Sequence, residues 1–167
     1  MSSIKINTPL TKDVIKNINP GDSVLITGYI YIARDAAHKR MYDSISKGEK
    51  LPFDIENQII YYAGPCPAKP GDIIGSCGPT TSGRMDKYTP LLLENGLSGM
   101  IGKGIRNDAV VQSVKKNNCA YFVTVGGLGA LLSKRIKEQK IIAYEDLGTE
   151  ALRRVFVEDF PAILTLK

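Results

Sequence analysis

The spacing of apolar positions changes several times along this chain, and each change marks an element. Residues 23–33 (SVLITGYIYIA) are almost continuously apolar and rich in β-branched and aromatic types, which predicts a long buried strand. From Arg34 to Ser46 the spacing becomes helical, with Ala37, Met41 and Ile45 on one stripe and Gly48 as the stop. Upstream, residues 4–6 predict a short strand, Thr11 is placed to cap a short helix over 12–16, and Asn19-Pro20-Gly21-Asp22 is a turn. A second strand is predicted over 58–63. It runs into Gly64-Pro65-Cys66-Pro67 and Pro70-Gly71, where missing amides rule out both a helix and a central strand. Residues 72–77 read as a further short strand. Thr81 or Ser82 then has the position of a cap for a helix reaching about Asn95, with Gly96 ending it.

The second half alternates more regularly. Residues 97–102 predict a strand, 107–116 a helix and 120–125 (AYFVTV) a buried strand. Gly126-Gly127-Leu128-Gly129 turns into a helix expected to run through Lys137. Residues 141–144 then read as a strand, and 154–158 and 162–166 as closing strands. Early strands followed by β-α alternation predict a layered α/β fold in one domain spanning residues 1–167, without repeat or linker.

Composition narrows the class. With 43% hydrophobic and 23% charged residues the chain has the balance of a soluble globular protein. No apolar run approaches the roughly 20 residues of a bilayer span, and MSSIKINTPLTKD lacks the apolar core of a secretory signal, so the expected compartment is the cytoplasm. The net charge of +5 permits nucleic-acid binding. Its basic residues are dispersed, however, and the densest group (Lys134, Arg135, Lys137) is too small for a phosphate-tracking patch. An anion-binding pocket would leave the same excess. Cys66, Cys77 and Cys119 are an odd number without C-x-x-C spacing, which disfavours a disulfide framework; buried free thiols are the plainer reading than a cluster or zinc site.

Candidate chemistry sits in glycine-rich segments. Gly102-Lys103-Gly104 fails as a P-loop, because Ser98 stands where glycine is needed and Gly104 where a hydroxyl is needed. Gly126-Gly127-Leu128-Gly129 is an incomplete dinucleotide fingerprint, since Leu132 occupies the third glycine position; a tight strand-to-helix turn explains it without a ligand. The segment GPTTSGRMD (78–86) places Thr80 one helical turn before Arg84, and a guanidinium beside a hydroxyl makes a good carboxylate receptor. An ordinary helix cap with a solvated arginine fits equally well. In ARDAAH (33–38) the long strand gives way to a helix, a common place for ligand groups. The alternative is that Asp35 caps that helix, Arg34 pairs with Asp35, and His38 satisfies a backbone carbonyl.

Together these segments resemble the β subunit, or C-terminal domain, of class I fumarate hydratases and the related L-tartrate dehydratases. The likeness is carried by ARDAAHKRM (33–41), YYAGPCPAKPG (61–71), GSCGPTTSGRMD (75–86), GMIGKG (99–104), TVGGLGALL (124–132) and VEDFPAI (157–163), in family order. ARDAAH and GRMD look closer to the fumarases. The resemblance implies a swivelling β/β/α domain and a hydro-lyase acting on a small dicarboxylate. It also implies a 4Fe–4S cluster held by three cysteines of a separate α subunit, not by Cys66, Cys77 or Cys119, and an assembly of two α-β pairs. Because the cluster-bearing portion is absent from the sequence, the chain is expected to be a separate small subunit. Residue by residue, Thr80 matches the family's catalytic base, and Arg34, Arg84 and Lys103 match positions holding the substrate carboxylates. Thr81, Asp35 and His38 fall in the same motifs as supporting residues.

Overall fold

In the computed structural model, residues 2–124 and 128–167 are described. Seven strands form one sheet, β1 (Ile4–Asn7), β2 (Ser23–Ile32), β3 (Ile59–Tyr61), β4 (Gly99–Gly102), β5 (Ala120–Val123), β6 (Ile136–Ala143) and β7 (Leu152–Leu166). Strands β2, β3, β4 and β5 run parallel to their neighbours, while β7 lies antiparallel to both β5 and β2. Five strands therefore pair in a closed circuit, β2-β3-β4-β5-β7 and back to β2, which protects their edges. β1 and β6 extend it along the outer flanks of β2 and β7.

Alternation along the parallel strands divides the core in two. Ile30, Ile32, Ile59, Tyr61, Ile101 and Phe122 face inward, against Val155, Val157 and Phe160 of β7. Tyr31, Ile60, Tyr62, Met100 and Tyr121 face outward and are covered by α2 (Asp35–Ser46), α3 (Thr89–Glu94) and α4 (Asp108–Lys116). Each large apolar side chain removed from water here contributes roughly 1.5–3 kcal/mol. The helices start and stop on local chemistry. Thr11 accepts from the Val14 amide to open α1 (Lys12–Lys16), and Asn107 accepts from Val110 N at 2.9 Å to open α4. Lys115 and Lys116 lie in the last turn of α4, where cations are favoured. Among the described residues no helix is long and apolar enough to cross a membrane.

Several expectations change. The helix expected up to Asn95 is instead a 3-10 turn over Ser82–Met85 followed by α3, because Pro90 has no amide to continue a first helix. Neither Thr81 nor Ser82 caps it; Thr81 precedes the turn and its side chain makes no capping bond. Residues 72–77 form no strand: between Pro67 and Pro70 on one side and Pro79 on the other, they make two backbone bonds to the preceding loop, Cys66 N to Ser76 O and Asp72 N to Lys69 O, both at 2.9 Å. Helix α5 (Gly129–Ser133) ends before Lys137, through which it was expected to run, and the strand expected over 141–144 begins already at Ile136. β6 is a lysine- and glutamate-bearing edge strand whose pairing with β7 overrides its polar composition. The two closing segments are one strand, kinked at Asp159 (φ 49°), whose amide donates to Thr27 Oγ1 at 3.0 Å.

Candidate active site

The carboxyl ends of the parallel strands gather the chemistry. Past β2 the chain leaves at Arg34, past β3 at Tyr62, and past β4 at Lys103. Into the gap between the last two comes the segment 80–82. Thr80 N donates to Tyr62 O at 2.7 Å, Thr81 pairs in parallel with Lys103, and Ser82 N donates to Lys103 O at 2.9 Å. The two threonines thus hang on the ends of two strands and sit beside a lysine distant in sequence. Gly102 permits this approach: a Cβ there would lie 2.0 Å from Ser82 Oγ and 2.9 Å from Tyr62 Cδ2.

The 3-10 turn then carries Arg84 to the start of α2. Its Nε and Nη2 donate to the two carboxylate oxygens of Asp35, at 3.2 and 2.6 Å. This side-on fork uses two of the five guanidinium N–H groups, leaving the end-on fork for another carboxylate. The Arg84 side chain is 54% exposed, so the ion pair itself adds little stability. Arg34 lies across Gly64, where a Cβ would stand 2.6 Å from its Nη1. Its Nε is 3.3 Å from Glu150 Oε1 without hydrogen-bond alignment.

Beneath this shelf lies polar structure that motif reading overlooked. Arg106, buried, donates from Nε to Asp86 Oδ1 at 2.7 Å and from Nη2 to Thr89 Oγ1 at 2.8 Å and Tyr62 Oη at 3.2 Å. The other Asp86 oxygen accepts from Asn107 N at 2.9 Å. The signal available in the sequence was the last residue of GPTTSGRMD, an acid, with an arginine three residues after Lys103.

His38 is fully buried, between Tyr62 and Tyr88, and burial lowers its pKa to about 4. The neutral ring donates from Nδ1 to Arg34 O at 2.9 Å, holding the first turn of α2 directly after Arg34. It does not reach the open shelf. The expected alternative, in which Asp35 caps α2 and pairs with Arg34, does not occur: Arg34 occupies the cap position and Asp35 pairs with Arg84.

All of Thr80, Thr81, Arg84, Asp35, Arg34 and Lys103 therefore cluster at one end of the sheet, and His38 supports it from below. A hollow of about 660 Å³ lies elsewhere, lined by Cys66, Lys69, Ser76, Lys134 and neighbours, without any of these residues. The candidate residues form an open shelf. Gly126 and Gly127 of the glycine-rich turn lie outside the described residues.

The three cysteines do not suit an iron–sulfur cluster. Cys66 is exposed, while Cys77 and Cys119 are buried, so the expectation of buried thiols holds for two of three. Burial pushes the Cys77 thiol up to about 12 and also raises Cys119, so both rest as protonated, unreactive thiols. Among the described residues, no group of three or more His, Cys, Asp or Glu side chains is placed to hold a metal ion.

Comparison with known proteins matches the model of the family described as Fumarase C-terminus over residues 1–167. The chain belongs to this fumarase C-terminal family. It is 37% identical over 166 residues to the anaerobic class I fumarate hydratase of Escherichia coli, covering 96% of this chain and 30% of that protein. Fumarate hydratase 2 of Leishmania major is 39% identical over 148 residues, 87% of this chain and 26% of the relative. A Methanocaldococcus jannaschii protein, provisionally named L(+)-tartrate dehydratase subunit beta, is 34% identical over 160 residues, 93% of this chain and 82% of its own length. The chain thus spans about a third or less of the two fumarate hydratases, but most of the tartrate dehydratase relative. These relatives are named as fumarate hydratases and as a tartrate dehydratase, the last as a beta subunit.

Proposed function

We propose that this chain is the β-subunit-type portion of a class I fumarate hydratase, a cytoplasmic hydro-lyase that interconverts fumarate and L-malate. It works only together with a cluster-bearing α subunit, in an assembly of two such pairs. The observation that carries the reading is the convergence of Thr80, Thr81, Lys103 and the Arg84–Asp35 pair beside Arg34, at the ends of parallel strands. An exposed shelf of cations suits a dianion, and a second surface is needed to exclude water from it.

In this reading the end-on fork of Arg84, with Arg34 and Lys103, holds the two substrate carboxylates. Asp35 keeps Arg84 facing them. Thr80 takes the proton from the carbon next to one carboxylate. The electron pair left on that carbon then becomes the new C=C bond, the C–OH bond breaks with its own pair leaving on hydroxide, and the hydroxide takes up a proton as Thr80 returns to its alkoxide, so malate yields fumarate and water. Negative charge builds up beside the carboxylates during this step, and fixed cations stabilise it without reorganisation. They also favour the alkoxide of Thr80, which is otherwise a very weak base. The cysteines of this chain do not fit a 4Fe–4S cluster; in this proposal the cluster belongs to the α subunit, where it supplies Lewis-acid chemistry.

The similarity to a tartrate dehydratase β subunit favours one alternative, L-tartrate or another hydroxy diacid as substrate. The test is anaerobic reconstitution with a cluster-bearing partner, assayed on fumarate and L-tartrate side by side. Faster turnover of fumarate supports the proposal; turnover of L-tartrate alone replaces the substrate; none with either diacid overturns the reading.

A further inference from the structure

The shelf rests on two loops from separate crossovers, 80–86 between β3 and β4 and the segment 102–107 from the last residue of β4 to α4. Backbone bonds join them only at Thr81, Ser82 and Lys103. Below that contact Arg106 and Tyr121 make a second, side-chain joint. Arg106 Nε reaches Asp86, Nη2 reaches Thr89 and Tyr62, and Nη1 lies 3.5 Å from Met100 Sδ. Its guanidinium packs over the Tyr62 and Tyr121 rings, with centroid distances of 5.2 and 4.8 Å. Tyr121 Oη in turn lies 2.7 Å from Ser82 Oγ and 2.7 Å from Gly104 O, so one hydroxyl links both loops.

A buried ion pair is weak evidence for stability, since hydrophobic replacements often serve as well. Its geometry here has another consequence. Every group bound by Arg106, Asp86 or Tyr121 lies on a loop bearing a shelf residue, on the strands beneath, or at the start of α3 or α4. Thr80, Thr81 and Arg84 come from one loop and Lys103 from the other.

We propose that Arg106, with Asp86 and Tyr121, is a positioning device that fixes the threonine–Arg84 loop against the lysine loop, so that both halves of the dianion site move as one body. Arg106 does not touch the substrate. The catalytic part of this inference rests on the proposed hydratase reading; the coupling of the two loops does not.

Two variants test it. Tyr121→Phe keeps the ring and loses the hydroxyl bridging the loops. Arg106→Lys keeps the charge but cannot span Asp86, Thr89 and Tyr62 at once. The first readout is amide hydrogen exchange in the full chain. Amides of both 80–86 and 102–107 are expected to exchange about tenfold faster in each variant, with α2 and β6 unchanged. Acceleration in one loop only, or in neither, overturns the coupling.

The second readout is steady-state kinetics of the reconstituted enzyme, scaled to folded, cluster-loaded protein. Displacement of the site by an ångström or less predicts a loss in kcat/KM of up to about 100-fold, shared between kcat and KM. A merely structural role lowers the folded fraction and leaves both constants per folded enzyme unchanged, which overturns the positioning claim. If the wild-type protein turns over neither diacid, the hydratase reading fails, and the exchange result still decides whether the loops are coupled.

Discussion

Gly64→Ala separates the position of Arg34 from the stability of the fold. The added Cβ would stand 2.6 Å from Arg34 Nη1, 2.8 Å from Cζ and 3.0 Å from Nε. A relaxed carbon–nitrogen contact needs about 3.5 Å, so the guanidinium must retreat by roughly 0.9 Å. The backbone does not oppose the change, as Gly64 is absent from the positive-φ glycines. Arg34 is 30% exposed at the end of a flexible side chain and has room to swing away. The cost to folding should stay within about 1 kcal/mol, partly offset by the stiffer unfolded chain. The catalytic cost should be larger. A shift of about 1 Å in a carboxylate-holding group costs about 100-fold in kcat/KM, or ~2.7 kcal/mol of transition-state stabilisation. Steady-state kinetics of the reconstituted enzyme, paired with a urea melt of the variant chain, measures both. Wild-type kinetics with an intact fold would refute the placement of Arg34 in the substrate site.

Other outcomes follow from the same geometry. Thr80→Ala should remove turnover by the reconstituted enzyme while a competing dicarboxylate still binds, and retained turnover removes Thr80 from proton transfer. Arg84→Lys should raise KM at least about tenfold, because an ammonium cannot serve Asp35 and a substrate carboxylate with two forks; unchanged KM contradicts that role. His38 has a pKa of about 4 in the folded chain against an ordinary value of 6.5, so the unfolded chain binds the extra proton first. The stability it protects is complete above pH 6.5 and is lost as pH falls towards 4, by ~3 kcal/mol. Urea midpoints across that window should therefore flatten in His38→Gln relative to the wild type, and parallel curves would contradict the burial of a neutral ring. In the native chain a thiol-alkylating reagent should label Cys66 and spare Cys77 and Cys119, as read by peptide mass spectrometry; fast labelling of Cys77 would contradict its raised pKa.

Much of this arrangement was legible because local chemistry and tertiary contacts agree. The β2-to-α2 junction showed itself through an apolar run changing to helical spacing, and Arg34, Asp35 and His38 followed from its position. The GPTTSGRMD segment marked Thr80 and Arg84 by their spacing, while Lys103 came forward only through the family likeness of GMIGKG, since its glycine spacing fails as a P-loop. That Thr81 and Lys103 pair as strand neighbours could not be read, because nothing in either segment encodes a contact 22 residues away. β6 was misplaced for a related reason: Lys137, Glu138 and Lys140 lie exposed on an edge strand, so its pairing with β7 leaves little apolar pattern. Arg106 and Asp86 were missed because charged residues at loop positions ordinarily face water, and only the folded loops show both to be buried.

In the proposed function, a cationic shelf becomes a working site only when another polypeptide closes over it. The most direct measurement takes the purified chain alone and then combined anaerobically with a cluster-bearing α subunit, recording iron–sulfur absorbance and fumarate consumption in each sample. The expected result is a colourless, inactive chain and a coloured, active complex. Cluster absorbance together with full turnover by the chain alone would contradict it.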